Sequence, residues 1–197
     1  MQPRDTMIPL LLKKVEAKGY RIFTRGKYNL NIIGIRHRGR PNEFDDTIAL
    51  VYRDDTGTWV QREFVCTTDP GSYWTNKPTN VNGTAVLCPG QYKSYSIDKH
   101  RGEYDALCQR LGPVKVWRTP AGDEIEWDNF DEGKEGWYGI NIHNSGNSLS
   151  NQVNKWSAGC TVLADPLEWY TFMRIVKKSA ELYGNAFTYT LLEESDV

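Results

Sequence analysis

The chain has no apolar run near the ~20 residues a membrane-spanning helix needs, which argues against membrane insertion. The short stretch Met7–Leu12 meets Lys13 and Lys14 at once and is too short for the apolar core of a secretion signal. No two of the four cysteines are spaced C-x-x-C, so zinc-ribbon and thioredoxin signatures are missing. The three histidines, His37, His100 and His143, show no H-E-x-x-H spacing, which argues against a zinc peptidase; neither a metal nor a cofactor enters the reading. A net charge of −1, with no basic stripe alternating with aromatics, points away from nucleic acid. There is no internal repeat and no low-complexity segment.

What is present fits one domain over residues 1–197, long enough to bury a core. Hydrophobic content of 39% and charged content of 25% are ordinary; 12% aromatic is high. Residues 6–18 read as a packing helix, capped by Asp5 or Thr6 and stopped by Gly19, with Ile8, Leu11, Leu12 and Val15 as its stripe. Tyr20–Ile35 reads as two short strands, and Thr47–Tyr52 with Trp59–Cys66 as a hairpin around Asp54–Gly57. The basic cluster Arg36–Arg40 reads as a solvated loop. Residues 67–82 read as a long loop, Thr84–Leu87 and Gln91–Ile97 as strands, Glu103–Leu111 as a short helix and Val114–Arg118 as a strand. The acidic run Thr119–Gly136 reads as an exposed loop. Asp165–Glu168 has the pattern of a capping box with Pro166 in the first turn of a helix that ends at Gly184, and Phe187–Leu192 closes the chain as a strand. Cys66, Cys88 and Cys108 lie in apolar contexts as core residues; a disulfide among them stays open.

The chemistry concentrates between Trp137 and Leu163. Alternation over residues 137–143 makes a strand with Tyr138, Ile140 and Ile142 on one face and Asn141 and His143 on the other. The Asn- and Ser-rich run from Asn144 to Lys155 is a loop, after which Ser157, Ala158, Gly159 and Cys160 lead back into Thr161–Leu163. A loop of that kind can return a thiol to an imidazole at a strand end. Such a partner favours the thiolate of a cysteine nucleophile, and open N–H groups of Ala158, Gly159 and Cys160 suit a developing oxyanion. The plainer alternative is a buried small Cys160 and a hydrogen-bonded strand-end His143.

These residues resemble the active-site segment of the L,D-transpeptidase catalytic domain, the YkuD-like superfamily, over roughly residues 60–163, in a variant most similar to small phage-encoded members. The segment Ile142-His143-Asn144 matches the family's strand-closing His, and Ser157-Ala158-Gly159-Cys160 its Ser/Thr-His-Gly-Cys block. Pro78–Tyr92 loosely resembles its substrate-side strand. Two departures are plain: Ala158 stands where the family has a second His, and Val162 where it has Arg or Asn. The resemblance implies an α+β, β-sheet-rich fold carrying N- and C-terminal helices. It implies Cys160 as nucleophile, His143 as base, Asn144 orienting the imidazole through its main-chain carbonyl, and Ser157, Ala158 and Gly159 lining the oxyanion and substrate side. It implies action on peptidoglycan stem peptides as a peptidase or transpeptidase, of phage endolysin or cell-wall type. The protein is then made in the bacterial cytoplasm and acts on the wall after release, or is carried in a virion among virion proteins. The alternative function is a non-catalytic wall-binding or virion structural module.

Overall fold

A computed structural model describes residues 7–40, 42–128 and 133–197. Its strands are β1 (Asn31–Arg36), β2 (Asp46–Arg53), β3 (Trp59–Thr67), β4 (Thr84–Leu87), β5 (Gly90–His100), β6 (Tyr104–Gln109), β7 (Val114–Thr119), β8 (Lys134–Gly136), β9 (Ile142–Asn144), β10 (Thr161–Leu163) and β11 (Phe187–Glu193). Its α-helices are α1 (Leu10–Ala17), α2 (Ser72–Asn76) and α3 (Pro166–Tyr183). Eight strands close into a barrel in the order β1-β11-β5-β6-β9-β10-β3-β2, and β4-β7-β8 form a separate three-stranded sheet. The pairs β1–β11 and β9–β10 are parallel; the other barrel pairs are antiparallel.

This corrects the expected YkuD-like α+β fold with terminal helices. The domain is a mixed β-barrel with few helices, and its longest helix, α3, is followed by the barrel strand β11. The closure is what pattern reading misses: β1 near the start pairs with β11 at the end, Ile32 beside Tyr189 and Gly34 beside Leu191.

Period-two alternation explains the core. Ile32, Ile48, Leu50, Leu107, Ile142, Leu163, Tyr189 and Leu191 join one buried cluster, with Trp169, Phe172, Met173 and Val176 of α3 packed into it. Their neighbours Ile33, Ile35, Ala49, Val51 and Leu192 form a second cluster under Leu11, Leu12 and Val15 of α1. Strands β1, β2 and β11 are therefore covered on both faces, which is why they read as near-continuous apolar runs. Burial of each such Leu or Ile contributes about 1.5–3 kcal/mol.

Several local expectations change. Helix α1 starts at Leu10, with Pro9 at its N-cap, and the proposed caps Asp5 and Thr6 lie outside the described residues. Tyr20–Ile35 yields one strand, because Gly26 and Tyr28 take positive φ and side chains hold the segment: Phe23 N donates to Asn31 Oδ1 and Arg21 N to Gln91 Oε1. The stretch 67–82 contains α2. Glu103–Leu111 is not a helix; it carries β6, whose Tyr104, Leu107 and Cys108 fit helical spacing equally well, and Ala106, Leu107 and Cys108 are all buried. Within the acidic run 119–136, β8 pairs with β7, and residues 129–132 lie outside the described residues. Helix α3 begins with Asp165 Oδ1 accepting from Leu167 N and ends at Gly184, as read. All four cysteines are free, and Cys66, Cys88 and Cys108 are buried.

The basic cluster is also not simply solvated. Arg36 is fully buried; it donates to Thr68 Oγ1, Thr68 O and Leu87 O and pairs with Asp69 at 2.8 Å. Arg38 pairs with Glu193 and Asp128.

Candidate active site

One side chain shapes the approach to β9. Gln109 is buried, and its Oε1 accepts from the N–H groups of Tyr138, Gly139 and Ile140 at 3.1, 2.9 and 3.2 Å. Its Nε2 donates to the carbonyls of Gly112 and Gly136. This wraps residues 138–140 around one amide, with Gly139 at φ 69. The chain therefore enters β9 only at Ile142, later than the alternation from Trp137 predicts.

Asn141 follows and links three parts of the site. Its Oδ1 accepts from Gln109 N at 2.9 Å, so its Nδ2 is the atom 3.1 Å from His100 Nδ1. Nδ2 donates there, which leaves His100 Nδ1 unprotonated. The Asn141 backbone N–H donates to Cys160 Sγ at 3.4 Å, and Thr161 N donates to Asn141 O at 3.0 Å. The parallel register sets Val162 beside His143 and Thr161 beside Ile142, so Cys160 falls level with Asn141, diagonal to His143. The thiol also donates to Gly139 O at 3.5 Å. No hydrogen bond joins Cys160 to His143 among the described residues; they share the β9–β10 junction without touching through a proton.

The turn before the thiol is cinched by Ser157, whose buried hydroxyl donates to Cys160 O at 2.8 Å and accepts from Gly159 N at 3.1 Å. Of the three amides expected to face an oxyanion, that of Gly159 is thus engaged. Those of Ala158 and Cys160 make no hydrogen bond with the described residues. Gly159 has φ 120, and a Cβ there would press on the Ala85 carbonyl, so this turn requires glycine.

His143 is buried, and its Nδ1 lies 2.8 Å from Asn144 O. A carbonyl only accepts, so Nδ1 carries the proton and Nε2 is left as the basic nitrogen. Burial first, then the charge of His100, holds the ring's pKa down at about 3. Burial likewise pushes the Cys160 thiol up to about 11, against the opposing pull of the Asn141 N–H. At neutral pH both groups are uncharged.

His100 is the residue the sequence reading missed. Asp98–Gly102 reads as a solvated turn, but His100 is 7% exposed and stacks on His143 with 4.1 Å between centroids and 23° between planes. Its pKa is lowered by burial and then by Arg101. The signal was in the topology: β5 and β6 form a hairpin whose second strand pairs with β9.

Two clefts are lined by neighbours of the thiol. One, of about 480 Å³, is lined by His100, Arg101, Tyr104, His143, Lys155 and Trp156 among others. The other, of about 320 Å³, includes Trp74, Arg118, Trp137, Ile140 and Ala158. Cys160 lines neither cleft; its bonded neighbours Gly139 and Asn141 bracket Ile140, which lines the second. Cavities of about 660 Å³ beside Tyr73 and about 580 Å³ beside Tyr52 are larger, the first sharing Lys155 and Trp156 with the cleft beside His143, so volume alone does not select the site. Among the described residues no group of three or more His, Cys, Asp or Glu is arranged to hold a metal, and no helix is long and apolar enough to cross a membrane.

No family model matches the chain, and no match was found among curated proteins or solved structures.

Proposed function

We propose that this chain is a cysteine-dependent acyl-transfer enzyme acting on peptidoglycan stem peptides. The observation that carries the chemistry is the Cys160 thiol bonded to the Asn141 N–H, diagonal to an imidazole whose Nδ1 is committed to Asn144 O. The substrate class rests on the resemblance of the His143 and Ser157–Cys160 segments to L,D-transpeptidases.

In this reaction the thiol proton passes to His143 Nε2 as Sγ bonds to an amide carbonyl carbon. The oxygen takes the negative charge, and the amides of Ala158 and Cys160 are the available donors for it. Collapse breaks the C–N bond, and the imidazolium returns its proton to the leaving amine. Water then attacks the thioester to give a peptidase, or an amine to give a cross-link; in either case the thiol is regenerated. A neutral thiol and a neutral imidazole fit a proton transfer that accompanies attack.

The missing hydrogen bond between Cys160 and His143 favours a second reading, a wall-binding or virion module without turnover. Purified protein incubated with defined muropeptides separates the two. Shortened or joined products by mass spectrometry are expected; intact substrate with retained binding would establish the second reading.

A further inference from the structure

We propose that the cleft beside His143 is an anion subsite in which Arg101 anchors a free carboxylate of the acyl donor. The proposal deepens the acyl-transfer reading and rests on it for the identity of the donor.

The turn joining β5 to β6 places Arg101 at φ 51 and Gly102 at φ 77, with Glu103 N donating to His100 O. A turn with two left-handed central residues favours Asn-Gly, and a bulky residue in the first position carries strain. Arg101 is exposed, and its guanidinium makes no hydrogen bond or ion pair with the described residues. Arg36, Arg38, Arg53, Arg110 and Arg118 donate to carbonyl, hydroxyl or carboxylate oxygens, whereas the guanidinium groups of Arg25 and Arg174, like that of Arg101, make no hydrogen bond or ion pair with the described residues; of these three only Arg101 lines the cleft beside His143. An unpartnered guanidinium held on a strained turn at the rim of a cleft suits a ligand, and its fork matches a carboxylate.

The surroundings agree. Lys155 also lines the cleft, but its ammonium is held over the Tyr73 ring, 4.5 Å from the centroid and in the neighbouring cavity, so Arg101 is the cation offered to the anion. Glu103 is the one acidic residue of the lining, and it pairs with neither cation among the described residues. Trp156, 43% exposed, adds an apolar wall for the body of a peptide. The positive charge of Arg101 also reaches the functional groups: it lowers the pKa of His100, His143 and Cys160.

The test uses full-length protein with two thiol probes, iodoacetate and iodoacetamide, at pH 9 and low salt, with adducts at Cys160 mapped by peptide mass. Their rate ratio, normalised to free cysteine, reads attraction of a carboxylate toward the thiol without any turnover. The normalised ratio is expected to favour iodoacetate by at least about threefold, to fall on adding salt and to collapse in Arg101→Asn. Arg101→Asn should melt no lower than the parent, because Asn suits the turn, so the loss cannot come from unfolding. Equal ratios in parent and variant would overturn the proposal. With a muropeptide substrate, the same variant should raise KM about tenfold more on the free acid than on the amidated form, any change common to both reporting the lost charge of Arg101 beside His143 and Cys160. Failure of all turnover would sink the acyl-transfer reading, while the probe ratio would still decide the anion subsite.

Discussion

The imidazoles of His100 and His143 lie face to face, 4.1 Å apart, with Asn141 donating to the first and Asn144 accepting from the second. Each ring is thereby fixed in one neutral tautomer, with Nδ1 of His100 bare and Nδ1 of His143 protonated. A proton on either would face the other across the stack with little water to screen it.

Imidazole titration followed by NMR checks this directly. His143 should take up no second proton until about pH 3, and His100 should titrate below the ordinary histidine value of about 6.5. Both folded values are depressed, so as pH falls the unfolded chain takes up protons first. His143 therefore removes about 1.4 kcal/mol of stability per pH unit between about 6.5 and 3, and none above. His100→Phe keeps a ring in the stack but removes its charge, and should raise the His143 value while leaving it below 6.5. A His143 pKa of 6–7 in the parent would contradict the buried neutral pair.

Gln109 is the second point of leverage. Replacing it with Met keeps the volume and deprives three backbone N–H groups of their acceptor. We expect a loss of about 1–3 kcal/mol in urea unfolding, the cost of one orphaned buried donor, since only the Ile140 N–H is buried while those of half-buried Tyr138 and exposed Gly139 can turn to water. Cys160 reactivity should change as well, because Gly139 and Asn141 both bond its sulfur. A loss under about 1 kcal/mol would show that residues 138–140 keep their course without this amide.

Part of this architecture was legible in the sequence and part was not. The β2–β3 hairpin and α3 were read closely, because alternation, a turn signal and an Asp165 cap are local information. Strand β6 reads as helix from sequence because Tyr104, Leu107 and Cys108 satisfy both periods once a strand is buried on both faces. Cys160 and His143 stood out by residue type and flanking glycines. His100 did not: its burial depends on β6 pairing with β9 some 35 residues further on, which no local pattern encodes. The barrel itself depends on β1 meeting β11 across nearly the whole chain.

Arg36 tests the packing of the barrel against its surroundings. It ties β1 to the segment after β3 and to the end of β4, with its guanidinium 5.7 Å from the Trp117 ring centroid and 5.5 Å from that of Trp127. Arg36→Met should cost about 3–5 kcal/mol, as expected when one partner of a buried ion pair is removed and Asp69 is left without its guanidinium. A change within about 1 kcal/mol in denaturant midpoint analysis would mean that Asp69 finds another partner or takes up a proton at little cost.

The nucleophile is the centre of the account, and intact-mass spectrometry of protein quenched during reaction with a defined muropeptide tests it most directly. The parent should carry an acyl adduct that maps to Cys160 and is released by hydroxylamine, as a thioester is, while Cys160→Ala should carry none and form no product. Turnover by Cys160→Ala, or an adduct on any other residue, would contradict it.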